Sequence, residues 1–183
     1  FMDEEDIFQL IEGFLVTVFK EILNQQIQVP FRRLSYREAM DRYGSDKPDL
    51  RFDFELRDLT DFAKSVDFKV FRDAACGGGR VKCLNAAGGS RFSLKDIEEL
   101  TNFSKSLGAK GLAWMKVEDN GELKSAVTKF FSETQLKEIK SVMDCRSGDL
   151  LLFVADKESV TNQVLGQLRL KVVEMLGIQP KTE

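Results

Sequence analysis

Apolar residues recur at three- and four-residue spacing from the start of the chain. Ile7, Leu10, Ile11, Phe14, Leu15, Val18, Phe19 and Ile22 mark one face of a long amphipathic helix. Asp3, Glu4, Glu5 and Asp6 fall in its first turn and Lys20 toward its other end, the order that the helix dipole favours. After a connection through Val29 and Pro30, Ser35 and Glu38 have capping-box spacing, which predicts a helix to Tyr43 stopped by Gly44. The polar stretch 44–52 contains Pro48 and reads as an ordered loop. A short strand or turn is expected at 54–56, then a brief helix through Lys64 capped by Thr60 or Asp61.

The pattern changes near Phe68. A strand start at 68–71 is expected, followed by a glycine-rich hairpin turn at Gly77, Gly78 and Gly79 and a strand over 80–86. A helix over 93–107, a strand over 111–117, a turn, a strand over 126–131 and a helix from Ser132 come next. Ser93 with Asp96 and Ser132 with Gln135 supply the caps. This strand-strand-helix-strand-strand-helix order predicts an α+β fold, a two-layer unit with helices over one face of a sheet. A further strand over 149–154 leads into a last helix carrying Val160, Val164, Leu168, Val172, Val173 and Leu176, stopped by Gly177.

Length adds that 183 residues suffice for one ordinary domain, or one compact domain plus pieces of a neighbour. Hydrophobic residues at 43% and charged residues at 31% exclude a disordered or fibrous chain. A net charge of −3 creates no global attraction for phosphate, so nucleic-acid binding would need a local basic patch. The longest apolar runs, such as 150–155, fall far short of the roughly 20 residues of a membrane-spanning helix. No membrane partner is expected. The acidic opening lacks the basic and apolar regions of an export signal, and three cysteines make neither a disulfide framework nor a zinc site, so a cytoplasmic protein with reduced thiols is expected. Histidine is absent, which removes the commonest general base and metal ligand.

Residues 37–52, Arg-Glu-Ala-Met-Asp-Arg-Tyr-Gly-Ser-Asp-Lys-Pro-Asp-Leu-Arg-Phe, resemble a stretch characteristic of bacterial-type aspartyl-tRNA synthetases. Leu59-Thr60-Asp61, Lys64-Ser65-Val66, residues 108–113, Lys129-Phe130 and Leu168-Arg169-Leu170-Lys171 follow the same family in order. The resemblance spans nearly the whole chain. It implies a fragment of an aspartate-tRNA ligase whose parent uses ATP and magnesium to attach aspartate to tRNA. It also implies three parts: a catalytic-domain segment at 1–65, an inserted GAD-like domain at 66–146 and a return segment at 147–183. Phe1 would end the second class II signature motif and the chain would stop before the third, leaving both catalytic arginines outside. The aspartate-binding segment, the histidines and the dimer motif would lie outside too. The resemblance therefore implies no catalytic, cofactor-binding or metal residue in this chain, no cofactor of its own and no activity alone. Helices separated from their catalytic-domain partners would leave apolar faces exposed, and self-association is expected.

Gly77-Gly78-Gly79-Arg80 lacks the lysine and the following Ser or Thr of a phosphate loop, and reads as a turn. Cys76, Cys83 and Cys145 read as inert thiols. Ser45, Asp46, Lys47, Asp49 and Arg51 suit substrate contacts or an internally bonded loop, with an Asx-type turn before Pro48 favouring the second. Lys95, Lys105, Lys110, Lys116, Lys124, Lys129, Lys137 and Lys140 suit an RNA-facing surface, but Glu98, Glu99, Glu118 and Glu133 interleave with them and favour a solvated exterior. Trp114 reads as core rather than a base-stacking platform. A stand-alone RNA-binding or adaptor module built on the GAD-like unit is the alternative function.

Overall fold

The computed structural model describes residues 2–179, in two compact units, Phe1–Ser35 and Tyr36–Glu183. In the first unit, α1 (Glu4–Leu23) forms where the periodicity predicts it. Asp3 is its N-cap: the Asp3 carboxylate accepts from the Asp6 amide and the Asp6 carboxylate from the Asp3 amide, both at 3.0 Å. Those bonds satisfy amides that the helix itself cannot. Residues 31–33 run back along α1, with the Phe31 amide donating to Glu12 Oε1 at 2.9 Å. The Arg33 guanidinium bonds both Glu5 oxygens, at 2.5 and 2.8 Å, and lies 4.4 Å from the centre of the Phe8 ring. No residue of α1 is buried.

The second unit carries α2 (Tyr36–Tyr43), β1 (Leu56–Asp58), α3 (Thr60–Ala63), α4 (Lys69–Cys76) and β2 (Arg80–Ala86). Then come α5 (Leu94–Ser106), β3 (Ala113–Val117), β4 (Leu123–Lys124), α6 (Glu133–Met143), β5 (Leu150–Asp156) and α7 (Glu158–Leu176). The strands form one sheet in the order β1-β2-β5-β3-β4, every pairing antiparallel. The fold is α+β. β5 is the centre of the sheet, with Leu152 opposite Leu84 on one side and Trp114 on the other.

The two-layer expectation is corrected: helices cover both faces. Leu84, Leu150, Leu152 and Val154 face Ile97 and Leu100 of α5 and Val164, Leu165 and Leu168 of α7. Val81, Cys83, Leu151 and Phe153 face Ala63 of α3, Phe71 of α4 and Ile139 of α6. A strand buried on both faces reads as a continuous apolar run rather than an alternation, and residues 150–155 are that run.

Four local expectations also fail. Residues 68–71 are not a strand: Phe68 precedes α4, and buried Phe71 and Ala75 show the four-residue period that a four-residue window hides. The glycines are therefore not a hairpin turn but the exit of α4 into β2. Gly77 and Gly79 amides donate to Asp73 and Ala74 carbonyls at 2.9 Å, and Gly78 has φ +80°. Residues 126–131 are not a strand, because β4 ends at Lys124 and a 3-10 turn spans Thr128–Phe130. The Ser125 hydroxyl accepts from the Val127 amide and the Thr128 hydroxyl donates to the Ser125 carbonyl, local bonds that compete with strand pairing. Neither Thr60 nor Asp61 caps α3; the Asp58 carboxylate accepts the Thr60 amide at 2.7 Å. The Ser93 and Ser132 capping boxes form as expected.

Candidate functional site

The loop that follows α2 begins at a helix stop only glycine permits. Gly44 has φ +69°, and a Cβ there would lie 2.2 Å from the Asn162 carbonyl oxygen of α7. Across the contact, a Cβ at Gly166 would lie 2.8 Å from the Gly44 carbonyl oxygen. Two glycines thus let the end of α2 touch the backbone of α7.

From there the loop is held by its own polar side chains. The Ser45 hydroxyl accepts from the Lys47 amide at 3.1 Å, and the Asp49 carboxylate accepts the Arg51 amide at 3.0 Å and its guanidinium at 3.0 and 2.7 Å. The turn-forming residues are Ser45 and Asp49, on either side of Pro48, rather than an Asx turn immediately before it. Arg51 holds the Asp49 carboxyl below its ordinary range. Asp46 and Lys47 are exposed at the tip. Of the five loop residues, then, Ser45, Asp49 and Arg51 bond within the loop.

The sequence reading missed the residue that holds the loop from inside. Arg169 of α7 is 1% exposed. Its Nε donates to the Phe54 carbonyl at 2.6 Å, and one Nη donates to the Phe52 carbonyl at 2.8 Å and to that of Asp49. Its Cζ lies 5.0 Å from the centre of the Tyr43 ring. Besides its place in the family-like stretch 168–171, the sequence signal was an arginine set among the apolar residues of an otherwise core-facing helix stripe.

Beside this loop, α2, β1 and β2 wall a cleft of about 630 Å3 lined by Arg37, Asp41, Arg57, Asp58, Arg80 and Lys82, among others. Its charges are mostly matched. Lys82, 1% exposed, donates to the Asp41 carbonyl and carboxylate at 3.2 and 3.3 Å. Arg80 lies 3.9 Å from Asp58 and 3.6 Å from Glu158. The Arg42 guanidinium grips Glu55 through two bonds, which lowers the Glu55 pKa.

The lysines that would suit an RNA-facing surface are divided among several neighbourhoods. Lys116 donates to the Phe92 carbonyl at 2.5 Å and Lys140 to that of Gly121, while Lys110 and Lys124 approach Asp156 and Glu118 at 4.0 and 3.6 Å. Lys129, Lys137 and Lys140 border a shallow pocket that Glu122 and Glu133 share. Trp114 is half-buried against the core beneath α5 and α7. The thiols do not pair: Cys76 is exposed, Cys83 buried and Cys145 between, and burial pushes the Cys83 thiol well up. Among the described residues no cluster of metal-ligating side chains occurs, and no helix is long and apolar enough to cross a membrane.

Comparison with known proteins places this arrangement. The GAD domain family matches residues 71–165, just over half of the chain. The aspartate-tRNA(Asp/Asn) ligase of Persephonella marina is 49% identical over 181 residues, which cover 99% of this chain and 30% of that protein. The protein of the same name from Bacillus cytotoxicus is 50% identical over 179 residues, covering 97% of this chain and 30% of its own length. That of Desulfatibacillum aliphaticivorans is 44% identical over 183 residues, all of this chain and 31% of its own length. The chain thus spans under a third of the curated relatives it matches, and the similarity runs through the α2 loop and α7 as well as the matched domain. The chain belongs to the GAD domain family, in the form that aspartate-tRNA(Asp/Asn) ligases carry.

Proposed function

We propose that the chain is a fragment of an aspartate-tRNA ligase, whose parent activates aspartate with ATP and magnesium and transfers it to tRNA in the cytoplasm. The observation that carries this reading is identity of 44–50% along 97–100% of the chain, well beyond the residues of the GAD match. Residues 1–65 and the end of α7 would be catalytic-domain connections of the class II type. The inserted unit would begin near residue 66. The return segment would follow, and the place of β5 at the centre of the sheet supports keeping that strand with the inserted unit.

The fragment supplies scaffold and holds no catalytic residue. Activation of aspartate builds charge on phosphoryl oxygens, which cations must stabilise, and the arginines and Lys82 of the α2 cleft are instead engaged by Asp41, Glu55, Asp58 and Glu158. The full reading frame should show aspartate-dependent exchange between pyrophosphate and ATP and should charge tRNA, while the 183-residue chain should do neither. Exchange by the isolated chain, or its absence from the full protein, would sink the proposal. Exposed Leu10, Phe14 and Ile22 on α1 support self-association of the fragment, and a clean monomer in sedimentation at high concentration would count against it. The adaptor reading needs a basic face, and the sharing of one pocket by Lys129, Lys137 and Lys140 with Glu122 and Glu133 speaks for mixed charge there; filter binding of tRNA no tighter than that of a control protein of equal charge is the expected result.

A further inference from the structure

Arg169 is a buried cation whose described hydrogen bonds all end on backbone carbonyls. A carboxylate on a flexible side chain can follow a guanidinium through several loop conformations. The carbonyls of Asp49, Phe52 and Phe54 cannot: they converge on one point only when the chain between them follows a single path. The planar fork of the guanidinium, with its fixed donor directions, matches that convergence in a way an ammonium does not. Opening the loop would strand a permanent charge in the core beside Leu165, Leu168 and Val172, which are fully buried. Desolvation already lowers the Arg169 pKa, against the raising effects of Asp49, Tyr43 and Glu55. The Gly44–Gly166 contact brings the start of the loop onto the same helix one turn earlier.

We propose that Arg169 is a conformational latch: its guanidinium fixes the backbone of residues 49–54, so that this loop and α7 order and open as one unit. The latch gives a physical reason for two separated segments of one family resemblance, 37–52 and 168–171, to occur together. It sets the positions of the exposed Arg51 and Asp53 from the inside.

Hydrogen exchange of the whole 183-residue chain tests it, read on amides 50–55 against those of β3 and α6. Arg169→Ala should speed exchange in the loop by about tenfold or more while β3 and α6 change by less than about twofold. Methylguanidinium on the order of 10 mM should restore much of the lost protection by refilling the carbonyl cradle, whereas methylammonium at equal concentration should not. Arg169→Lys, which keeps the charge without the fork, should fall between the wild type and Arg169→Ala. Unchanged loop exchange in Arg169→Ala would overturn the proposal. So would equal rescue by methylammonium, or uniform loss of protection across β3 and α6 in both variants, which would make Arg169 a general support of the core.

Discussion

The unit Phe1–Ser35 and the unit Tyr36–Glu183 use the same local grammar and differ in what covers it. α1 has a full capping box, acidic first turn and an unbroken apolar stripe, as good a set of helix signals as α5 or α6 possesses. Yet no residue of α1 is buried, whereas six of the seven residues of β5 are. Local signals decide that a helix forms; burial is a separate fact, set by which faces find partners. The largest stability effects should therefore lie in the second unit even where the first is richer in exposed apolar side chains.

Core truncation should show the largest contrast. Phe153→Ala removes a ring that meets Phe71 at 5.5 Å in the face beneath α4 and α6, and should cost about 3–5 kcal/mol in urea denaturation. Phe14→Ala, at a side chain 62% exposed in α1, should stay within about 0.5 kcal/mol. Comparable losses for the two would break the comparison.

The glycines sharpen it further. Gly44→Ala meets both a left-handed backbone and the Asn162 carbonyl, and should destabilise by about 2–4 kcal/mol. Gly78→Ala has the same backbone penalty in open space and should cost about 1–2 kcal/mol. Gly13→Ala, inside α1 with nothing near its added methyl, should gain about 0.5–1 kcal/mol of helix stability. Thermal melts of the three variants check that order.

Asp3→Ala deletes the α1 cap and should cost that helix about 1 kcal/mol, seen as faster exchange of its first-turn amides with no shift in the melt of the sheet unit. The smallest expected effect is electrostatic. Arg42 lowers the folded-state pKa of Glu55 below its ordinary 4.5, so the pair's contribution is complete above that value and is lost as pH falls through the lower one. Both side chains are partly exposed, so the contribution is about 0.5 kcal/mol. Glu55→Gln should remove it and flatten that part of the acid titration of stability, read by denaturant midpoints from pH 6 down to about 3.

The elements with their own start and stop chemistry were legible from sequence alone. α1, α5, α6 and α7 sit where periodicity, capping boxes and terminal glycines put them, because those signals act within one or two turns of chain. The family resemblance was legible because residues 37–52 and 168–171 spell it directly. Short apolar windows were not: 68–71 and 126–131 hold too few residues to separate a period of two from one of 3.6. The second helical layer was hidden because an apolar run such as 150–155 says that both faces are buried but not by what. Arg169 was missed for the same reason. Its meaning lies in three carbonyls more than a hundred residues earlier in the chain, and only the tertiary fold brings those oxygens to one point.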